Sequence, residues 1–306
     1  MDPVDGVVRT PDERFADLPG WPWQPRYETT SDGLRVALLD EGPRDAPVVV
    51  LLHGEPSWSY LWRTVVPPLL EAGCRVVAPD LVGFGRSDKP VDQAAYTYAG
   101  HVEWLREVLF DRLDLAGVTL VCQDWGGLLG LRLVAEHPGR FARVCTANTG
   151  LPDGSRAMGE EWQRFAAFVD RTPDLPVGLL VAFGCATELA PEVVAAYDAP
   201  FPDADAKAGA RAFPRLIPQS PDQPGAAENV AAWEVLRTFD RPWLNAFSDG
   251  DPITRGADGL FAAQVPGCAG QPHTTIEGGG HFLQEDRGPE VGAVLVSWLR
   301  GLAVLP

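Results

Sequence analysis

The decamer Val121 to Gly130, VCQDWGGLLG, sets a carboxylate at the point where an apolar run turns sharply into a helix-forming segment. In the G-x-S-x-G form of such a turn the central residue is a nucleophilic serine; here it is Asp124. Cys122 and Gly126, two residues to either side, are small enough for the backbone to pass close to its neighbours. The N–H groups of Trp125 and Gly126 open the following helix and favour negative charge beside them. Taken alone, an aspartate before a helix also reads as an N-cap, so the choice between cap and nucleophile rests on its partners.

A nucleophile of this kind needs a base, and the chain has five histidines. His281, in EGGGHFLQED, follows the last strand-like run and precedes the last helix, where a glycine-rich loop can aim a ring across a sheet edge. His101 and His137 lie on or at the end of helical segments and His273 opens a strand, so these read as surface or packing residues. His53, in HGEPSW, reads as a loop organiser. An imidazole base needs a carboxylate to fix its tautomer and stabilise its charged form. Asp251, in FSDGDPI, fits the chain order nucleophile, acid, histidine; Asp249 is its near competitor, with turn formation as its alternative role. Two backbone donors, the N–H groups of Glu55 and Trp125, would complete an oxyanion hole. The Glu55 side chain is read separately, as a loop anchor.

The elements that must hold these residues are legible as short apolar runs alternating with helix-period segments, the pattern of a mainly parallel sheet flanked by helices. Strands are expected at residues 35–40, 48–53, 75–80, 119–123, 143–148, 243–249 and 273–278, with helices at 98–113 and 127–136. Val291, Val294, Leu295, Trp298 and Leu299 give the last helix one apolar face. From about residue 152 to 229 the rhythm changes to helical and proline-rich, which reads as an insertion lying over the C-terminal edge of the sheet, where open α/β sheets bind ligands. The expected division is a core of 1–151 and 230–306 and a helical cap of 152–229.

With 25 basic against 42 acidic side chains the formal charge is −17, a field that repels nucleic acid and anionic membrane surfaces. The N-terminal stretch MDPVDGVVRTPDERFADLPG lacks the basic and apolar regions of a secretory leader, and the richest apolar run, Val177 to Ala186, is about half a membrane span. A cytoplasmic protein is expected. Five cysteines without C-x-x-C spacing read as reduced thiols, and neither a metal nor another cofactor is implied.

The stretches LLHGEPSWSYLWR, APDLVGFGRSDKP, YTYAGHVEWL, CQDWGGLLGLRL, YDAPFPD, GARAFPRLIP and GGGHFLQED together resemble the haloalkane dehalogenases. The DLVGFGRSDKP stretch is shared widely among α/β hydrolases, whereas HGEPSWSY joined to QDWGG is much narrower. The resemblance implies the α/β-hydrolase fold, with a mostly parallel eight-stranded sheet and an inserted helical cap, and it implies Asp124 as nucleophile, His281 as base and Asp251 as its acid. In one branch of that family the acid follows the strand equivalent to RVCTAN. That place is held here by Asn148, so the chain is similar to the branch whose acid follows the later strand.

A carboxylate suits displacement at a saturated carbon. Serine would become an ether, which activated water does not readily cleave; aspartate becomes an alkyl ester whose carbonyl lies beside the two backbone donors. The halide then released into an apolar pocket needs donors, and indole Nε1–H donates without accepting. Trp125 is the first candidate; the family draws its second donor from the insertion, where Trp162 is the only tryptophan. Leu128, Phe165, Phe168, Phe213, Pro214, Ile253 and Phe282 are candidate pocket residues, with core packing as the competing role. The expected partners are thus a short apolar halogenated substrate and the chloride or bromide it releases, on a monomer or weak homo-oligomer. An epoxide hydrolase would want tyrosines in the insertion, which holds only Tyr197; a fluoroacetate-type enzyme would favour arginine where Trp125 stands. A silent binding module would have no reason to keep the whole set.

Overall fold

The computed structural model describes residues 4–305; Met1 to Pro3, the first residues of the stretch read above for a leader, and Pro306 lie outside the described residues. Eight strands form one sheet: β1 (Arg26–Thr29), β2 (Arg35–Glu41), β3 (Val48–Leu52), β4 (Arg75–Pro79), β5 (Val118–Gln123), β6 (Phe141–Ala147), β7 (Trp243–Ser248) and β8 (Thr274–Ile276). Their spatial order is 1-2-4-3-5-6-7-8. β4, β3, β5, β6, β7 and β8 run parallel, and β1 and β2 join antiparallel.

The alternation of side chains along each strand divides the core in two. Val50 and Leu52 of β3, Leu120 and Cys122 of β5 and Val144 of β6 enter one cluster. Val49, Leu51, Val121 and Cys145 enter the other. Both faces are covered by helices, which is why β3, β4 and β5 are buried at every position rather than at alternate ones. Helices α1 (Val66–Glu71) and α9 (Leu283–Gly301) cover the second cluster; α2 (Tyr98–Arg106), α3 (Trp125–Glu136) and α8 (Ala226–Leu236) cover the first. The segment expected as one helix over 98–113 changes geometry at Glu107–Arg112, a π-helical turn in which the Leu113 N–H reaches the Val108 carbonyl at 3.1 Å.

Between β6 and α8 lie four helices, α4 (Glu160–Arg171), α5 (Val177–Phe183), α6 (Pro191–Asp198) and α7 (Ala208–Leu216). The expected cap boundary at residue 229 falls inside α8, which packs on α3 of the core. Among the described residues no helix is long and apolar enough to cross a membrane. All five cysteines are free thiols, and burial pushes the Cys122, Cys145 and Cys185 thiols up.

Candidate active site

The loops that follow β3, β5, β7 and β8 meet at the C-terminal edge of the sheet, where the chain order reverses around β3 and β5. Asp124 sits at the β5–α3 turn with φ 50° and ψ −128°, a left-handed conformation that costs a non-glycine residue energy. Its surroundings hold it there. The Asp124 N–H donates to the Asn148 carbonyl at 3.0 Å, and its own carbonyl accepts from the Gly127 N–H at 2.9 Å and the Thr149 hydroxyl at 2.7 Å. A Cβ on Gly126 would strike the Leu52 carbonyl and one on Gly54 the Asp124 carboxylate, so both close approaches require glycine.

The Asp124 side chain makes no capping bond to α3. Its Oδ1 accepts from the Glu55 N–H at 2.8 Å, while Oδ2 lies 3.4 Å from His281 Nε2. On the far side of the ring, His281 Nδ1 lies 3.1 Å from Asp251 Oδ2. Asp251 is buried and its Oδ1 accepts from the Ile253 N–H at 2.9 Å, with the Thr254 hydroxyl donating to Oδ2. Asp249 instead accepts from the Gly278 N–H at 2.8 Å and shapes the turn.

Electrostatics couple the three groups. Burial lowers the His281 pKa, but Asp251 and Asp124 outweigh it and carry it up to about 10. Burial likewise raises Asp251, yet the facing imidazole and the hydrogen bonds hold it at about 2. Glu55 is the opposite case: burial and the Asp124 charge beside it push its carboxyl well above the usual range, and its Oε1 is buried without a partner. The other buried histidines serve structure. His53 Nε2 accepts from the Leu81 N–H at 3.0 Å, and burial lowers its pKa; His101 packs against Tyr96, Trp104 and Phe213.

Of the residues that hold the histidine loop, Asn148 was marked in the sequence, at the place of the other branch's acid; Gln123, Glu285 and Asp286 were not singled out. The Gln123 amide nitrogen donates to the His281 carbonyl at 3.1 Å and stands 3.2 Å from Nε2. Asn148 donates to the carbonyls of Gly280 and His281 at 2.9 and 3.0 Å and accepts from the Ser248 N–H, joining the ends of β6 and β7 to the loop. Asp286 accepts from the N–H groups of Gly280, Ala186 and Thr187 at 2.7 to 2.9 Å, and the His281 N–H donates to the Gly184 carbonyl at 2.7 Å. Glu285 pairs with Arg63 and accepts from the Tyr197 hydroxyl, which is thereby committed away from any substrate. Both acids belong to HFLQED, so the signal was the run of acids after the histidine. The inserted helices are therefore tied to the same loop that carries His281.

A cleft of about 1060 Å³ opens over Asp124, with Leu128, Trp162, Ile217 and Ile253 along its walls. Trp125 is 1% exposed, packed against Tyr98 and Phe213 with ring centroids at 5.3 and 4.6 Å. Trp58, Trp233 and Trp243 spend their indole N–H on protein oxygens; among the described residues those of Trp125 and Trp162 make no such bond. Trp62 is also unpaired, but it is sealed in the core on the other side of the sheet. Of the candidate pocket residues, Leu128 and Ile253 line the cleft. Phe213 and Phe282 press on the Trp125 and His281 rings instead, and Pro214 is buried within α7. In α4 the face formed by Trp162, Phe165, Ala166 and Val169 turns inward at helical spacing, which leaves Phe168 37% exposed on the outside.

Comparison with known proteins matches this geometry to a family. The model of the alpha/beta hydrolase fold covers residues 47–288. Haloalkane dehalogenases from Psychrobacter cryohalolentis and Mycobacterium marinum are 52% and 50% identical, over 96% and 95% of this chain and 98% and 99% of their own lengths. The solved tetrameric haloalkane dehalogenase from Paraglaciecola agarilytica superposes with a TM-score of 0.88 at 38% identity, over 94% of this chain and 96% of that one. With half its residues shared along nearly the whole length, and the sheet-edge carboxylate, histidine and acid in contact, this chain belongs to the haloalkane dehalogenases of the α/β-hydrolase fold, hydrolases that act on carbon–halide bonds.

Proposed function

We propose that the chain hydrolyses short haloalkanes through an ester on Asp124, with residues 152–229 acting as a cap over the site. The observation that carries this reading is the division of labour between the two carboxylate oxygens. Oδ1 is held at 2.8 Å by the Glu55 N–H, and Oδ2 is left facing the histidine and the cleft. Oδ2 attacks the carbon bearing the halogen, the carbon–halogen bond breaks, and the halide departs towards the indole N–H groups of Trp125 and Trp162. His281, steadied by Asp251, then takes a proton from a water that adds to the ester carbonyl. The oxyanion that forms at Oδ1 is received by the N–H groups of Glu55 and Trp125, and collapse frees the alcohol. Haloalkane and halide are the only partners this chemistry needs. The assembly is read as a monomer or weak homo-oligomer, and the tetrameric relative gives precedent for association.

The route is tested by oxygen bookkeeping in one turnover. With enzyme in excess over 1-bromobutane in heavy-oxygen water, the butanol is expected to carry ordinary oxygen and the label to stay on Asp124, read by peptide mass spectrometry. Labelled butanol from an unlabelled protein would mean that water attacks the substrate directly.

Trp162→Phe keeps the ring and removes the N–H at the cleft wall. Bromide affinity, followed by quenching of tryptophan fluorescence, is expected to fall about tenfold, the loss of one hydrogen bond to a charged group. Unchanged affinity would remove Trp162 from the halide site.

A further inference from the structure

The cleft is larger than a short haloalkane requires, and its outer part differs in character from its floor. Volumes of about 300–1,000 Å³ serve drug-sized ligands, and this one reaches about 1060 Å³. Around Asp124 the walls are apolar; at the rim stand three arginines, Arg156, Arg237 and Arg255. Asp153 is the one acidic side chain lining that rim, and its carboxylate accepts from the Ser155 N–H and hydroxyl. In a chain where acids outnumber bases 42 to 25, the rim inverts the ratio.

None of the three guanidinium groups is closed into an ion pair. Among the described residues, none has a carboxylate oxygen within ion-pair distance. Arg237 lies over the Trp233 ring at 5.6 Å, donates to Gln264 at 2.9 Å and shares its charge with Asp153, whose carboxyl it helps to lower, so it is the oriented member of the three. Arg156 and Arg255 are exposed and line the cleft from two segments, one after β6 and one after β7, so two parts of the chain bring positive charge to it. Clefts lined by one sign of charge focus the field and concentrate ligands of the other sign, here against a molecule whose overall field repels anions.

We propose that this rim is a subsite for an anionic head group, and that the enzyme prefers ω-halogenated alkanoates, with halogen at one end and carboxylate at the other, to uncharged haloalkanes of equal length. The inference rests on Asp124 as the reacting group at the floor. For 6-bromohexanoate the carbon–bromine bond breaks as a carbon–oxygen bond to Asp124 forms, water then cleaves the acyl–oxygen bond of that ester, and 6-hydroxyhexanoate, bromide and a proton leave. The carboxylate takes no part in the reaction; it anchors the far end at the arginines.

The experiment compares 6-bromohexanoate with its methyl ester, the same chain without the charge, on wild type and on Arg156→Glu/Arg255→Glu, with 1-bromobutane as a reference and bromide as a product inhibitor. Wild type is expected to favour the carboxylate in kcat/KM, and the preference to shrink with added salt. Charge reversal is expected to lower kcat/KM for the carboxylate about tenfold through KM, with the ester and 1-bromobutane unchanged within a factor of about two. Equal use of acid and ester by wild type, or equal loss of both in the variant, overturns the proposal. Weaker bromide inhibition with no change in carboxylate preference also overturns it, because the rim would then serve the departing halide. Wild type that turns over 1-bromobutane but not the bromoalkanoate defeats the subsite alone; failure on 1-bromobutane as well defeats the reading of Asp124 on which it stands.

Discussion

Asp124→Ala abolishes bromide release from 1-bromobutane, a drop of about 10⁵-fold or more, while the protein still unfolds cooperatively within a few degrees of wild type. The loss is complete because no other carboxylate can take over. Burial raises the Glu55 carboxyl and disfavours its charged form, and Asp251 faces the opposite nitrogen of the ring. Removing a covalent nucleophile leaves only what positioning can supply, as when the single groups of a catalytic unit are deleted. The small effect on stability follows from opposing changes. Alanine at φ 50° costs about 1–2 kcal/mol more than a residue that tolerates the left-handed region, and the Glu55 N–H loses its acceptor. Against this, deleting the charge removes the repulsion that Glu55 feels. For a chain of this size each kcal/mol moves the melting temperature by about 2–4 °C, so calorimetry beside the halide assay separates lost chemistry from lost fold. Residual activity above a hundredth of wild type would place the nucleophile elsewhere.

How Asp124, His281 and Asp251 come together was largely legible in the chain, because each follows a segment with a strand rhythm. The seven expected strands lie where β2 to β8 lie, and the turn, the glycine-rich loop and FSDGDPI follow β5, β8 and β7. The eighth strand was hidden for a physical reason. β1, RYET, is an edge strand that pairs with β2 alone and is half-exposed throughout, so it carries no apolar run to read. The supports of the site were hidden for another. Gln123 and Asp286 act through bonds to backbone groups far along the chain, as does Asn148, whose position alone was marked, and spacing says nothing about which backbone group a side chain will meet. In the inserted helices, register decided which aromatics face in, and one sequence of short proline-separated helices does not fix it; hence Phe168 is outside and Trp162 inside. Asp251 against Asp249 is a related case, since two acids two residues apart leave the strand end in different directions and only the loop's path selects one.

His281→Phe separates the two halves of the reaction, and its expected result is a burst of about one bromide per enzyme followed by arrest, with the butyl ester trapped on Asp124 and visible as an alkyl adduct by mass spectrometry. The raised pKa of the ring fits the proposed use of the histidine in the second half alone. In the free enzyme its folded pKa is about 10, so at pH 7 the ring is protonated and is not yet a base. Two carboxylates keep it so, and alkylation of Asp124 neutralises one of them. The ring's pKa therefore falls once the ester has formed, and the imidazole becomes able to accept a proton from water when that is first required. In wild type, single-turnover hydrolysis of the ester should consequently quicken as pH rises from 6 and level off below pH 10, while the burst of bromide release stays flat over the same range. The stability linkage has the matching sign. A pKa raised in the folded state above the unfolded value of 6.5 contributes stabilisation that is fully present below that pH and is lost as pH climbs through about 10. Asp251, lowered to about 2, contributes stabilisation above pH 3.8 that is lost as pH falls towards 2. Phenylalanine removes the first contribution and leaves Asp251 buried with only the Ile253 N–H and Thr254 hydroxyl, a cost of up to about 3–5 kcal/mol. His281→Gln, which still offers a donor to Asp251, is the companion variant: it is expected to arrest at the same ester with a smaller loss of stability. Steady release of many bromides per enzyme by either variant, or a burst that leaves no adduct, would show that His281 does not act as the base of the second step.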